Sequence, residues 1–137
     1  MKDMEISISG INVEQGIMNS GGTAEKYFRV LNVLYKDLME KMPILQTIPD
    51  ESTLRNFQIQ VHAQKSALAI IGAKEISEKA ALLEDACKRE DFDFIQKNQP
   101  VFAEELTELT GNIYTALESA SALMPEYDNA LQIIEDM

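Results

Sequence analysis

His62 is the only histidine in the chain, and Lys65 follows it three residues later. Imidazole is the side chain that takes a phosphoryl group on nitrogen near neutral pH, and an ammonium one helical turn along can meet phosphoryl oxygens as a point charge. Taken alone, the pair also has a plainer reading, that of an ordinary boundary histidine beside a solvated lysine. Other chemistries find less support. A structural zinc site needs several imidazoles or thiolates, and this chain offers one histidine and one cysteine, Cys87. No signature of nucleophile, base and orienting third group, as a hydrolase requires, is visible.

The residues around His62 determine how it is presented. Leu54, Phe57, Val61, Gln64, Leu68 and Ile71 recur at three and four residues, so 51–71 reads as one helix with that stripe turned inward. The angular step of about 100° per residue then sets His62 at the edge of the stripe, in a row with Ile59, Lys65, Ser66 and Ala69. Small side chains at Ala63, Ser66 and Ala69 leave room for another protein to approach the ring. Gly72 is the natural end of this helix.

Similar stripes lie on either side. Thr23 is placed to cap a helix over about 23–41, carrying Tyr27, Leu31, Leu34, Leu38 and Met42 and interrupted by Pro43. Lys74 or Glu75 opens another, reaching about Arg89, with Ile76, Ala80, Leu83 and either Ala86 or Cys87 inward. Asp91 caps a last helix whose stripe runs from Ile95 through Phe102, Leu106 and Ile113 to Leu123. Pro100 is expected to bend that helix or to mark a fresh start near residue 99, and Pro125 to end it. Asn12 caps a short helix over Val13–Asn19, released by Gly21 and Gly22. The pattern predicts an all-α fold, an up-and-down antiparallel four-helix bundle with a short additional N-terminal helix. Residues 1–11 would be an N-terminal tail, 12–124 the bundle and 125–137 an amphipathic extension around Tyr127, Leu131 and Ile134. Because a bundle of this size fills its own centre, any reactive group must stand on its surface.

Composition narrows the partners. A chain of 137 residues with 45% hydrophobic content fits one domain. With 23 acidic against 12 basic side chains and a net charge of -11, it lacks the positive field of a nucleic-acid binder. Cys87 has no internal disulfide partner and reads as a small buried apolar residue in a reducing compartment. The longest apolar run, 67–73, has seven residues where a bilayer helix needs about twenty. The acidic opening Met1-Lys2-Asp3-Met4-Glu5 is unlike a signal peptide. The expectation is a cytoplasmic domain without membrane insertion.

The segment His62-Ala63-Gln64-Lys65-Ser66-Ala67-Leu68-Ala69-Ile70-Ile71-Gly72-Ala73 resembles the signature of histidine-containing phosphotransfer (HPt) domains of two-component phosphorelays. In that family a His-x-x-Lys-Gly or His-x-x-Lys-Ser motif is followed by small residues and Gly-Ala. Leu83-Glu84 and Ala86 downstream, and 16–28 upstream, are similar to the same family, and the likeness covers roughly 12–120.

The resemblance implies a phosphorelay intermediate. His62 would accept a phosphoryl group, through Nε2, from the aspartyl phosphate of a response-regulator receiver domain and pass it to another receiver. Lys65 would steady the phosphoryl oxygens. Ser66, where many members carry glycine, would preserve access or offer its hydroxyl. Glu84 would hold the imidazole Nδ1 and fix the tautomer. Ile59, Ala63, Ala69 and Ile70 would form the docking row. Such a phosphocarrier needs no cofactor of its own, since the Mg2+ belongs to the receiver partner, and with no nucleotide-binding loop visible no autonomous kinase activity is expected. Gln64 stands where an apolar residue is common in the family, and Glu90 where a glycine is common. Two rival readings use the same surface: a non-catalytic helical adaptor that binds receiver or histidine-kinase domains, and a fragment of a hybrid histidine kinase.

Overall fold

The computed structural model describes residues 6–123, with side chains as far as Ala120. The described residues form five helices and no strand: α1 (Val13–Asn19), α2 (Ala24–Leu45), α3 (Leu54–Ile70), α4 (Lys74–Lys88) and α5 (Phe92–Leu123). The expected caps are in place. Asn12 Oδ1 accepts from the Gln15 amide at 3.1 Å, Thr23 Oγ1 from Lys26 at 3.2 Å and Asp91 Oδ1 from Phe94 at 3.1 Å.

Three boundaries differ from the sequence expectation, each for a local reason. Helix α3 starts at Leu54 and not at residue 51, because the Asp50 carboxylate accepts from the amides and hydroxyls of Ser52 and Thr53 and folds them into a turn. Helix α2 continues through Pro43 to Leu45, and α5 runs unbroken through Pro100 with no fresh start at residue 99. Each proline removes one donor from the carbonyl four residues back, on Met39 and Gln96. Both are exposed residues, where water can replace the lost bond.

Helices α3 and α4 end in the same way. The Ala73 amide donates to the Leu68 carbonyl at 2.9 Å and Gly72 to Ala69 at 3.2 Å; at the other end Asp91 donates to Ala86 at 2.9 Å and Glu90 to Cys87 at 3.1 Å. These are Schellman closures, with the left-handed residue supplied by Gly72 (φ 96°) and by Glu90 (φ 54°).

The four long helices form a ring in which α2 packs on α3 and α5, and α4 packs on α3 and α5. Tyr27, Phe28, Leu31, Phe57, Leu68 and Phe102 fill its centre, and Ala86 and Cys87 are both buried. The architecture is an up-and-down four-helix bundle with an extra short helix at its N-terminal side. Helix α1 seals the end of α3, whose last carbonyls need donors. The Asn12 amide donates to the Gly72 carbonyl at 2.8 Å, Asn19 Nδ2 to Ile70 at 3.1 Å and the Tyr27 hydroxyl to Ile71 at 2.8 Å. Gly16 lies so close to the Ile71 carbonyl that any Cβ there would overlap it. Of residues 1–11, Ile8 is buried and Ile6 and Ile11 pack against the core. The expected extension at 125–137 lies outside the described residues. Among those described, no helix is long and apolar enough to cross a membrane.

Candidate functional site

The inward stripe of α3 consists of Leu54, Phe57, Val61, Gln64 and Leu68. With those five side chains turned to the core, His62 stands at the α4 edge, 61% of its side chain exposed. On α4 the stripe of Ile76, Ala80, Leu83 and Cys87 is wide enough to take Glu84 under with it, so only 6% of the Glu84 side chain remains exposed. A buried acid thus meets a surface imidazole across the α3–α4 interface.

Glu84 Oε2 lies 2.6 Å from His62 Nδ1, and Glu84 Oε1 accepts from Lys65 Nζ at 2.7 Å. Lys88 Nζ, one turn along α4, stands 3.7 Å from Oε2. The Ser77 hydroxyl donates to the Lys65 carbonyl at 2.7 Å and ties the two helices together beneath the cluster. Burial works to raise the pKa of Glu84, but the hydrogen bonds and charges of Lys65 and His62 outweigh it and hold the carboxyl below its usual range. Glu84 is therefore a carboxylate and can only accept, which assigns the Nδ1 proton to the imidazole. In the neutral ring the lone pair then sits on Nε2, and the same carboxylate stabilises the cation formed when Nε2 gains an electrophile.

The expected site residues fall into two groups. His62, Lys65 and Glu84 come together in one hydrogen-bonded cluster. Ser66, Ile59, Ala63, Ala69 and Ile70 are exposed on the outer side of α3, with Ile59 at 50% and Ile70 at 44% exposure. Ile70 and Ala67 continue into an apolar groove of about 470 Å³ between α2 and α3, where Val30, Val33 and Leu34 face them and Arg29 and Asp37 supply the charges. Glu84 is no solvated helix residue. Lys65 is not a free ammonium either, since in this state it is engaged by Glu84.

Sequence reasoning missed Lys88 and Ser77. A signal was present: Ser77, Glu84 and Lys88 recur at seven and four residues, one row along the edge of the α4 stripe. It also placed Gln64 in the inward stripe without seeing its partner. Gln64 is fully buried, its Nε2 donates to Asp37 Oδ2 at 2.8 Å, and its Oε1 has no partner.

The charges are unevenly spread. Helix α3 carries Arg55 and Lys65 and no acid, whereas α5 carries Asp93, Glu104, Glu105, Glu108 and Glu118 against Lys97. Among the described residues no group of three or more His, Cys, Asp or Glu is placed to hold a metal ion. Comparison with family models, curated proteins and solved structures finds no match to this chain.

Proposed function

We propose that the bundle is an HPt-type phosphorelay intermediate, receiving a phosphoryl group on His62 Nε2 from a receiver aspartate and handing it to a second receiver. The observation that carries this reading is a single surface imidazole whose Nδ1 is held at 2.6 Å by a buried carboxylate. Such an arrangement fixes the tautomer before the partner arrives, so the nucleophile needs no reorientation during reaction.

In the transfer step the Nε2 lone pair attacks phosphorus in line as the bond from phosphorus to the aspartyl oxygen breaks, and the aspartate leaves as a free carboxylate. The Nδ1 proton stays on the ring, and Glu84 balances the positive charge the ring acquires. No general base is required. Most charge stabilisation on the phosphoryl oxygens, including Mg2+, belongs to the receiver, and this chain adds the Lys65 ammonium. Return transfer to a second receiver reverses the same bonds.

Docking would use the row Ile59, Ala63, Ala69 and Ile70, with the adjoining groove between α2 and α3. A receiver face that binds Mg2+ is acidic, and the acid-free α3 is the long helix best suited to meet it, while α5 repels it. A helical adaptor would occupy the same surface, and the two readings part at the imidazole. With a radiolabelled phospho-receiver, the wild-type protein is expected to take up acid-labile, base-stable label, and His62→Gln to take up none while keeping its helical circular dichroism. Label retained in His62→Gln rejects the site, and binding without any label in the wild type favours the adaptor. ATP alone leaves the protein unlabelled.

A further inference from the structure

Glu84 is the one acid of the cluster, and three nitrogen-bearing side chains stand around its two oxygens. His62 and Lys65 reach it from α3, at 2.6 and 2.7 Å, and Lys88 from α4 stands 3.7 Å from the oxygen that His62 already occupies. That last distance is within an ion pair but outside a hydrogen bond. We infer that Lys88 is a reserve counter-cation, which closes onto the Glu84 carboxylate when Lys65 turns away to the phosphoryl oxygens on His62. The inference rests on the reading of His62 as the acceptor and adds a positioning residue to it.

The argument is one of charge conservation around a buried acid. A phosphoryl group on Nε2 brings up to two negative charges to the far side of the ring from Glu84. Lys65, with 34% of its side chain exposed, can turn toward them, but doing so strips Oε1 of its donor. A carboxylate with 6% exposure left short of partners is strongly unfavourable, because little of it is open to water that could replace them. Another cation must take the place. Arg89 is next along α4, yet its guanidinium is committed to Asp85 at 2.9 Å and Asp91 at 3.0 Å. Cys87 brings no charge, since burial and the neighbouring Glu84 push its thiol up to about 11. Lys88 is 60% exposed, sits one turn from Glu84 and needs only a rotamer change to donate.

The exchange can be read without any phosphoryl group, by following the Glu84 side-chain carboxyl carbon by NMR as pH is lowered. In Lys65→Gln the carboxyl is expected to titrate only slightly higher than in the wild type, because Lys88 closes in. In Lys88→Gln it should hardly move. In the double variant it should rise by clearly more than the two single changes added together. Additive shifts would show that the two lysines do not substitute for one another and would overturn the proposal. In the phosphorylated protein, Lys88→Gln should shorten the lifetime of the phosphohistidine by about threefold, the scale of a partly exposed ion pair, and Lys88→Arg should restore it. An unchanged lifetime in Lys88→Gln counts equally against the proposal. If the wild type takes up no label, the reading of His62 fails and with it the phosphoryl trigger, while the titration still decides whether Lys88 replaces Lys65.

Discussion

Along its α4 edge, α3 offers His62 and Lys65 to the carboxylate of Glu84; along its α2 edge it offers Gln64 to the carboxylate of Asp37. The two edges are inverted. Glu84 is buried beneath an exposed imidazole and a half-exposed lysine, whereas Gln64 is buried and its acid, Asp37, is half-exposed. A buried acceptor beneath an exposed imidazole orients a ring that a second molecule can reach, and both its oxygens are used. A buried amide beneath a half-exposed acid joins two helices and leaves Oε1 without a partner, a desolvation cost with no access in return. The same helix, with a carboxylate on each side, therefore has one edge that orients an exposed imidazole, the acceptor in the function proposed above, and one that only joins two helices.

The largest expected effect separates the two carboxylates directly. Glu84→Gln keeps size and shape but removes the charge that balances a phosphorylated imidazole, and transfer should slow about 10- to 100-fold, as when a group that orients a ligand is lost. Asp37→Asn should leave the rate within about twofold. Single-turnover transfer from one labelled receiver measures both, and equal losses would erase the distinction between the edges.

The same carboxylate gives a pH signature of stability. Because the folded Glu84 carboxyl is held below its usual value, its contribution is complete above the unfolded pKa and is lost as pH falls through the lower folded one. The stability difference between the wild type and Glu84→Gln should shrink below about pH 5. Asp50 and Asp91 also sit low, through hydrogen bonds from Ser52 and Thr53 and from Phe94 and Arg89 respectively, but they occur in both proteins and cancel in the comparison. Urea melts between neutral and acid pH would show the trend; a difference that widens in acid contradicts the assignment.

Much of this was legible in the sequence because it depends on period and on short-range caps. The stripe from Leu54 to Leu68 places His62 at an edge whatever packs beside it, and Asn12, Thr23 and Asp91 announce their helices locally. The burial of Glu84 was not readable in the same way. It follows from the closeness of α3 and α4, which lets a residue next to Leu83 disappear under its neighbour, and one helix's pattern does not contain that distance. The prolines misled for a related reason: Pro43 and Pro100 break helices when the freed carbonyl is buried, and here the residues bearing those carbonyls face water.

The α2 edge yields a smaller expected effect of the opposite sign. Gln64→Met keeps the length of the side chain and removes a buried amide that satisfies only one of its two polar atoms, while Asp37 turns to solvent. A gain of about 1 kcal/mol, or roughly 3 °C in Tm, should follow, with transfer unchanged. A lower Tm would mean that the bond to Asp37 outweighs the desolvation of the amide, and that this edge is as specifically built as the other.

The smallest effect concerns the ends of the two helices that carry the site. Gly72 closes α3 in the left-handed region with the Asn12 backbone so close that a Cβ would overlap it, and glycine is required there twice over. Glu90 closes α4 by the same hydrogen bonds at φ 54°, where a side chain costs about 1 kcal/mol or more. Glu90→Gly relieves that cost but loosens the unfolded chain, so the net gain should be about 0.5 kcal/mol. Glu90 makes no hydrogen bond or ion pair with His62, Lys65 or Glu84, whose partners lie within the cluster. Transfer should then be unaltered although the helix bearing Glu84 is better closed. If the rate changes with the turn, the end of α4 helps to set where Glu84 lies, and the reactive edge extends further along the bundle than its hydrogen bonds.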